Sequence, residues 1–434
     1  MKKALVLAGG GTRGAYQNGA LKALRKLHKA DFDIVTGTSI GALNAALVVQ
    51  KDYKAMDNMW HTLTQDKIVK GSMTLEFNLD TMINERNLIA SFFKNYVKEK
   101  GADISPLIEQ IEYYFDEKKF FDSNIDFGCI TVRHGSLKPE FVTKEMMKEH
   151  AIDWLVSSAS AFPAFPVHTF SEGSFIDGGY YDNLPVDFAL RLGADELIII
   201  DLNNNPQHPC YMYSDNVHYI YPKKPTGSFL NFDRKVMDDL EIAGYNDTMK
   251  TFGKYEGIVY TFKKMKYPSY YHDFLHKFMM MENDIKVAAQ INKKINFRSE
   301  SYLRDRISES LHISCVSDKQ IFFALVDELM KLCNLDDLKI WDYKDAQKAI
   351  VEHFMPCIKE DYAYLPKLVP TDIMNYISTL DEEGIVAKFV HFMAYEEHSP
   401  FKDGLYLTIY PFEKCLAMLV IEMMKDEIGE IWKK

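Results

Sequence analysis

Short apolar runs alternate with helical patterns over the first fifty residues. Residues 4–8 form a continuous apolar run that is followed by glycines. Such a run is typical of a strand buried on both faces of a parallel sheet. Residues 14–29 carry apolar side chains at helical spacing, residues 32–36 predict a second strand, and residues 40–50 predict an alanine-rich helix. This order indicates an α/β fold.

The pattern becomes helical near residue 265. Before that point, we predict strands at 125–132, 174–177, 196–202 and 258–262, with short helices at 153–160 and 187–192. After it, helical patterns occupy residues 267–296, 320–333, 345–355, 371–380, 385–395 and 412–432. We therefore predict two domains, an α/β domain over residues 1–264 and an all-helical domain over residues 265–434.

The charge is concentrated in the last third of the chain. The 434 residues carry a net charge of −11, and residues 301–434 alone contain 24 acidic and 15 basic residues, a net charge of −9. A protein that binds nucleic acid non-specifically needs a basic surface, so this composition argues against a nucleic-acid partner. The predicted helical domain is acidic, and its protein partner is left open.

Cysteine spacing and apolar-run length suggest a location. The six cysteines form no C-x-x-C pair, which argues against a zinc knuckle or a redox motif. The run at residues 4–8 is too short for a secretory signal, and no apolar stretch reaches the length of a membrane span. We expect a cytoplasmic protein with free thiols and no bound metal.

Four motifs follow the predicted strands in a fixed order. A glycine-rich loop follows the first strand, a Gly-x-Ser-x-Gly motif follows the second, and an Asp-Gly-Gly turn and an Asp-Asn-Leu-Pro segment follow later. In residues, they are Gly9-Gly10-Gly11-Thr12-Arg13-Gly14, Gly37-Thr38-Ser39-Ile40-Gly41, Asp177-Gly178-Gly179 and Asp182-Asn183-Leu184-Pro185.

The Gly-x-Ser-x-Gly motif has the form of a nucleophile elbow. In such an elbow, a sharp turn between a strand and a helix exposes the serine hydroxyl at the carboxyl edge of the sheet. Gly37 and Gly41 lack the side chains that would keep strand and helix apart, and the helix that begins at Ile40 directs its positive end at Ser39. Alone the pattern is common, but its position between strand and helix makes it informative.

The glycine-rich loop suits a second task in ester chemistry. A serine hydroxyl needs a base to take its proton, and the attacked carbonyl becomes an oxyanion that needs N–H donors. Gly9, Gly10 and Gly11 allow backbone N–H groups to face a substrate without an intervening Cβ. Arg13 stands beside the loop, either to strengthen the oxyanion site or to support the loop.

Together, the motifs resemble the patatin-like phospholipase family over about residues 1–262. The resemblance implies a three-layer α/β/α core with a mainly parallel sheet, and a Ser–Asp dyad that uses no histidine. It implies Ser39 as nucleophile, Asp177 as general base, and the loop from Gly9 to Gly14 as the oxyanion hole, with Arg13 at its edge.

The resemblance also implies a reaction. Members of the family cleave acyl esters of phospholipids and other lipids without a metal or nucleotide cofactor. We therefore expect a lipid or ester substrate and transient contact with a membrane surface.

Gly9-x-Gly11-x-x-Gly14 after a strand also matches a dinucleotide-binding fingerprint. That fingerprint requires an acidic residue at the end of the second strand to bind the ribose. Here the acidic residues Asp31 and Asp33 lie before or at the start of that strand. The acidic residue that is most diagnostic of a dinucleotide-binding site is therefore missing from the end of the second strand.

Several roles can be assigned in two ways from the amino-acid sequence. The base could be a histidine, His134 or His168, in a Ser–His–Asp triad instead of a Ser–Asp dyad. Alternatively, the α/β core is catalytically idle and the acidic domain binds a partner. The aromatic-rich segment 59–121 is either a lid or an ordinary helical insertion, and Phe278 with the three methionines that follow is either a lipid-contacting surface or core.

Overall fold

The computed structural model describes residues 1–70, 102–265, 273–278, 280, 299–311, 316–358, 379–394 and 410–428. The chain divides into two compact units, Met1–Gly253 and Lys254–Lys434. Three sequence predictions fall wholly or mainly outside the described residues: the helices at 267–296 and 371–380, and the central part of the candidate lid, residues 71–101. Met279 and Met281 of the methionine cluster also lie outside them.

An eight-stranded sheet forms the centre of the first unit. Five strands run parallel in the order β3-β2-β1-β7-β8, whereas β4 and β6 pair antiparallel with β3, and β5 pairs antiparallel with β6. The strands are β1 (Lys3–Leu7), β2 (Ile34–Thr38), β3 (Asp126–Arg133), β4 (Pro139–Thr143), β5 (His168–Phe170), β6 (Gly173–Asp177), β7 (Glu196–Ile200) and β8 (Val217–Ile220). The mainly parallel sheet predicted from the sequence is confirmed.

Helices cover both faces of this sheet. The consecutive residues Ala4, Leu5, Val6 and Leu7 have no exposed surface, although their side chains alternate between the two faces. The helices of the first unit are α1 (Gly14–Lys26), α2 (Ile40–Val49), α3 (Tyr53–Thr62), α4 (Ser105–Tyr114), α5 (Glu117–Asp122), α6 (Ala151–Ser158), α7 (Val186–Arg191) and α8 (Arg234–Thr251). The result is the expected three-layer α/β/α core.

The hydrophobic pattern did not predict β4, β5, β8 or α8. Strand β5 has three residues, too few for a visible alternation, and α8 carries charged residues on most of its surface. Helix α8 packs on α1 through backbone contact instead of an apolar stripe. An ideal Cβ on Gly244 would lie 2.0 Å from the carbonyl oxygen of Tyr16, so only glycine permits this approach.

The described part of the second unit is mainly helical, as predicted, but it is not all-helical. Its helices are α9 (Ser299–Leu311), α10 (Asp318–Leu332), α11 (Tyr343–Phe354), α12 (Glu382–Ala394) and α13 (Pro411–Ile428). A three-stranded sheet joins them, made of β9 (Tyr255–Glu256), β10 (Thr261–Lys263) and β11 (Ile340–Trp341). The strand predicted at 258–262 therefore belongs to this unit. Strands of two or three residues show no readable periodicity.

Among the described helices, none combines the length and the apolar character needed to cross a bilayer.

Candidate active site

Ser39 stands in a strained turn between β2 and α2. Its backbone has φ +57° and ψ −129°, a region that non-glycine residues rarely adopt and that costs on the order of 1–3 kcal/mol. An ideal Cβ on Gly37 would lie 2.3 Å from the carbonyl oxygen of Gly41, and one on Gly41 would lie 2.4 Å from that of Leu7. The two glycines are therefore what allows the strand and the helix to approach each other.

A buried serine holds the backbone of this turn in place. The Ser39 amide donates to Ser158 Oγ at 3.1 Å, and the Ser158 hydroxyl donates to the Ile130 carbonyl oxygen at 2.7 Å. Ser158 is fully buried at the end of α6. This role is not visible in the amino-acid sequence, because one serine in a helical pattern carries no signal of this contact.

Strand pairing brings Asp177 to Ser39. Antiparallel pairing of β6 with β3 sets Asp177 opposite Thr131, and parallel pairing of β3 with β2 sets the neighbouring Ile130 opposite Thr38. The two candidate catalytic side chains thereby come together at the edge of the sheet, where both line the same cavity. Asp177 is 6% exposed.

Burial makes Asp177 an unusually basic carboxylate. Loss of hydration raises its pKa to about 6, although two neighbouring groups oppose this by favouring the charged form. They are the Gly179 amide, which donates to Asp177 Oδ1 at 2.7 Å, and the Ser39 hydroxyl. A carboxylate with this pKa is deprotonated at neutral pH and is a better proton acceptor than a solvated aspartate.

The glycine-rich loop has two backbone amides without an acceptor among the described residues. Four of its six amides have acceptors within the protein: Gly9 donates to Asn183 O at 2.9 Å, Thr12 to Phe229 O at 2.8 Å, Arg13 to Gly10 O at 3.2 Å, and Gly14 to Gly11 O. The amides of Gly10 and Gly11 have no acceptor in the part of the chain that the structure describes. Both glycines line the same cavity as Ser39.

Arg13 fixes the orientation of this pair. Its backbone amide and its Nε both donate to the Gly10 carbonyl oxygen, each at 3.2 Å. In a trans peptide the carbonyl and the following N–H point in opposite directions, so the two bonds also set the direction of the Gly11 N–H. The Arg13 side chain is buried beside the loop, at the edge of the site where the sequence predicted it.

These groups line a cavity of about 280 Å³. The lining also includes apolar side chains and three amide side chains. Its residues are Gly9, Gly10, Gly11, Arg13, Ser39, Ala159, Ala161, Phe165, Asp177, Gly179, Tyr180, Asn183, Asn203, Gln207, Phe229 and Leu230. The predicted site residues outside this lining are Thr12, Gly14, Gly37, Thr38, Ile40, Gly41 and Gly178.

No histidine is among the described residues that line the cavity. The ring of His134 packs against Phe162 with centroids 5.7 Å apart, and His168 Nε2 bonds Asp153 Oδ1 at 2.8 Å. The described residues therefore assemble no Ser–His–Asp triad at Ser39. Asp33, which the dinucleotide fingerprint would need beside a ribose, accepts the Lys3 amide at 2.8 Å at the amino end of the sheet, the wrong edge for that contact.

Sequence analysis also missed the polar side chains Asn203 and Gln207. Both come shortly after β7, which is parallel to β1 and ends at the same edge of the sheet. Because ligands bind at the carboxyl ends of parallel strands, the position after the apolar run at 196–202 was a usable signal. The predicted Asp182 and Asn183 serve as turn residues: Asp182 Oδ1 accepts the Leu184 amide at 3.0 Å, and Asn183 contacts Gly9.

Comparison with known proteins identifies the first part of the chain. Residues 5–190 match the family model described as Patatin-like phospholipase. This part of the chain is a patatin-like phospholipase domain. The matched residues include all four motifs and both Ser39 and Asp177, whereas Asn203 and Gln207 follow the end of the match.

Relatives share this domain and little else. The chain is 28% identical over 218 residues to a patatin-like phospholipase domain-containing protein of Caenorhabditis elegans, which covers 49% of this chain and 14% of that protein. It is 30% identical over 215 residues to lysophospholipase nte1 of Aspergillus terreus, covering 49% and 13%. The chain thus spans about one-seventh of the length of these relatives.

Among solved structures, VipD from Legionella pneumophila aligns with 99% of this chain and 90% of its own, at 15% identity and a TM-score of 0.39. The domain is assigned from the family match.

Proposed function

We propose that the chain is a serine lipid acyl hydrolase, a phospholipase A or esterase, that works through an acyl-enzyme intermediate. In this proposal Ser39 is the nucleophile and Asp177 is the general base. One observation carries it: a serine in a strained turn and a buried carboxylate whose pKa is about 6 line the same cavity. Two amides without acceptors among the described residues stand beside this pair.

The proposed reaction begins when Ser39 Oγ attacks the carbonyl carbon of the ester. Asp177 takes the hydroxyl proton, and the Gly10 and Gly11 amides donate to the oxyanion of the tetrahedral intermediate. When the intermediate collapses, the alcohol leaves with the proton from Asp177 and the acyl group stays on Ser39. Water then attacks the acyl-enzyme with the same base, which releases the fatty acid. No step needs a metal or a nucleotide.

The proposal extends to the substrate and its setting. Relatives are named phospholipase domain-containing proteins and lysophospholipases, so we include monoacyl phospholipids among the esters to test. Contact with a membrane surface and a cytoplasmic location belong to the same proposal, as does the assignment of residues 1–264 to the hydrolase and 265–434 to an acidic helical domain. We propose no nucleic-acid partner.

The test is hydrolysis of a chromogenic acyl ester and of lipid esters by the full chain. We expect Ser39→Ala and Asp177→Asn to reduce kcat by at least about 10³-fold, because a serine without its base is a poor nucleophile. Ser171→Ala is a matched control, because it removes a serine hydroxyl that is exposed and is not part of the cavity lining. Equal rates for wild type and Ser39→Ala would refute the proposal.

A further inference from the structure

The cavity around Ser39 is lined by two chemically different sets of side chains. We call the apolar set, Ala159, Ala161, Phe165, Phe229 and Leu230, the apolar wall, and the polar set, Arg13, Asn183, Asn203 and Gln207, the polar wall. An acyl ester offers a match for both sets, since its acyl chain is apolar and its alcohol part carries oxygens. A hydrogen-bond donor of the polar wall therefore suits an oxygen of the alcohol part.

A buried carboxylate organises the polar wall. Asp201, directly after β7, is fully buried. Its Oδ1 accepts the Leu202 amide at 2.7 Å, the Asn203 amide at 3.1 Å and Gln207 Nε2 at 2.7 Å. Its Oδ2 accepts the Gln207 amide at 2.9 Å and the Tyr219 hydroxyl at 2.7 Å. Five donors on one carboxylate fix the backbone of this segment, so Asn203 and Gln207 enter the cavity from a rigid support.

Two of the three amide side chains on this wall are already engaged through their nitrogens. Asn183 Nδ2 donates to Gly9 O at 3.2 Å and to Gln207 Oε1 at 3.3 Å. Gln207 Nε2 donates to Asp201. These bonds tie the wall together and leave these two residues less suited to capture a substrate.

Asn203 differs from its two neighbours. Its Oδ1 accepts from the Arg13 guanidinium at 3.4 Å, which fixes the amide with Nδ2 directed away from Arg13. Nδ2 has no acceptor within the described ranges of the chain, although the residue is only half-buried and lines the cavity. A planar amide whose oxygen is held by Arg13 and whose two N–H groups are available on the other side is a preorganised hydrogen-bond donor.

We propose that Asn203 is a specificity-determining residue that donates a hydrogen bond to an oxygen in the alcohol part of the ester. The acceptor is a glycerol hydroxyl or a phosphoryl oxygen next to the scissile bond. Asp201 is the positioning residue, because it holds the Asn203 backbone and touches no substrate itself. This inference rests on the proposed hydrolase function and deepens it by naming Asn203 as the residue that recognises the alcohol part of the ester.

The test compares three esters that share one acyl chain: p-nitrophenyl decanoate, monodecanoylglycerol and decanoyl-lysophosphatidylcholine. Asn203→Leu removes the donor and keeps a side chain of similar size. We expect it to lower kcat/KM for the two polar esters about tenfold more than for the p-nitrophenyl ester, as loss of one hydrogen bond predicts. Most of this change should fall on KM.

Asn203→Asp separates the two sources of the acceptor. It keeps the shape of the side chain and replaces the donor with a negative charge. A larger loss on the lysophospholipid than on the monoacylglycerol assigns the contact to the phosphoryl group, because like charges repel, whereas equal losses assign it to a glycerol hydroxyl. If Asn203→Leu does not fold, Asn203→Asp takes its place in the comparison of the three esters.

Asn204→Ala is the matched control, because Asn204 is the next residue and is exposed. It should change none of the three rates by more than about twofold, as is usual for surface substitutions. If the Asn203 variants lower all three rates by the same factor, this inference is wrong and the hydrolase proposal stands. A wild-type protein that hydrolyses none of the three esters overturns both.

Discussion

Replacing Asp177 with asparagine should make the protein more stable while it removes activity. Burial raises the pKa of Asp177 from the ordinary 3.8 to about 6. Keeping this carboxylate charged in the folded state therefore costs roughly 3 kcal/mol above pH 7, at about 1.4 kcal/mol for each tenfold change in proton affinity. Asparagine has the same shape and can still accept the Gly179 amide. We expect Asp177→Asn to recover up to about 3 kcal/mol of unfolding free energy near pH 8.

The pH dependence gives this prediction its sign. Between the ordinary pKa of 3.8 and about 6, the unfolded chain releases the Asp177 proton while the folded protein keeps it. The stability of the wild type then falls as pH rises through this window, because the folded state binds more protons. The advantage of Asp177→Asn should therefore be near zero at about pH 4 and reach its full size above about pH 7.

The assay is urea unfolding followed by tryptophan fluorescence. Trp60 and Trp154 lie in the first unit, so a Trp341→Phe, Trp432→Phe background restricts the signal to that unit. Ser39→Ala is the control, because it also abolishes activity but keeps the buried carboxylate and removes a hydroxyl that favours its charged form. A lower stability of Asp177→Asn than of wild type at pH 8, or a difference that does not change with pH, would refute the reasoning.

Two further predictions concern the supports of the site. Gly11→Ala should reduce kcat/KM at least about tenfold, because the backbone φ of Gly11 is +56° and a Cβ there would lie 2.0 Å from Phe229 O, which forces the loop to move. Gly135→Ala is the control: its φ is +88° and no atom lies within 4 Å of the added Cβ, so it adds backbone strain alone and should affect stability but not hydrolysis. Ser158→Ala removes the acceptor of the Ser39 amide and a donor to the Ile130 carbonyl, so we expect a loss of about 1–3 kcal/mol in urea unfolding together with slower hydrolysis. Thr248→Ala is the control, because it removes a buried hydroxyl that is hydrogen-bonded within α8 and should lower stability without slowing hydrolysis. Similar hydrolysis rates for Ser158→Ala and wild type would contradict the role given to Ser158.

The sequence predicted the parts of the site that local chemistry defines. The elbow at Ser39 and the loop from Gly9 to Gly14 are contiguous motifs next to strongly apolar strands, so both their structure and their place at the sheet edge can be read from the chain. Asp177 was predicted through a family resemblance, since nothing in its own segment states that β6 pairs with β3. Its contact with Ser39 follows from strand register.

Features that depend on long-range packing were not predicted. Ser158 supports the elbow from a helix 119 residues away, and Asp201 organises the polar wall through donors that include Tyr219. Neither residue lies in a motif, and each becomes significant only when the sheet assembles. Likewise, β11 of the second unit pairs with β10 across about eighty residues, and each strand of this sheet is too short for a local periodicity to reveal it.

The most direct test of the central claim is the rate at which a fluorophosphonate labels Ser39 as a function of pH. If Asp177 is the base, the second-order rate constant in the wild type should rise with pH, pass half-maximum near pH 6, and level off above about pH 7. In Asp177→Asn this rise should disappear and the rate should be low throughout. A wild-type rate that does not change between about pH 5 and pH 8, or wild-type labelling of Asp177→Asn, would contradict the account.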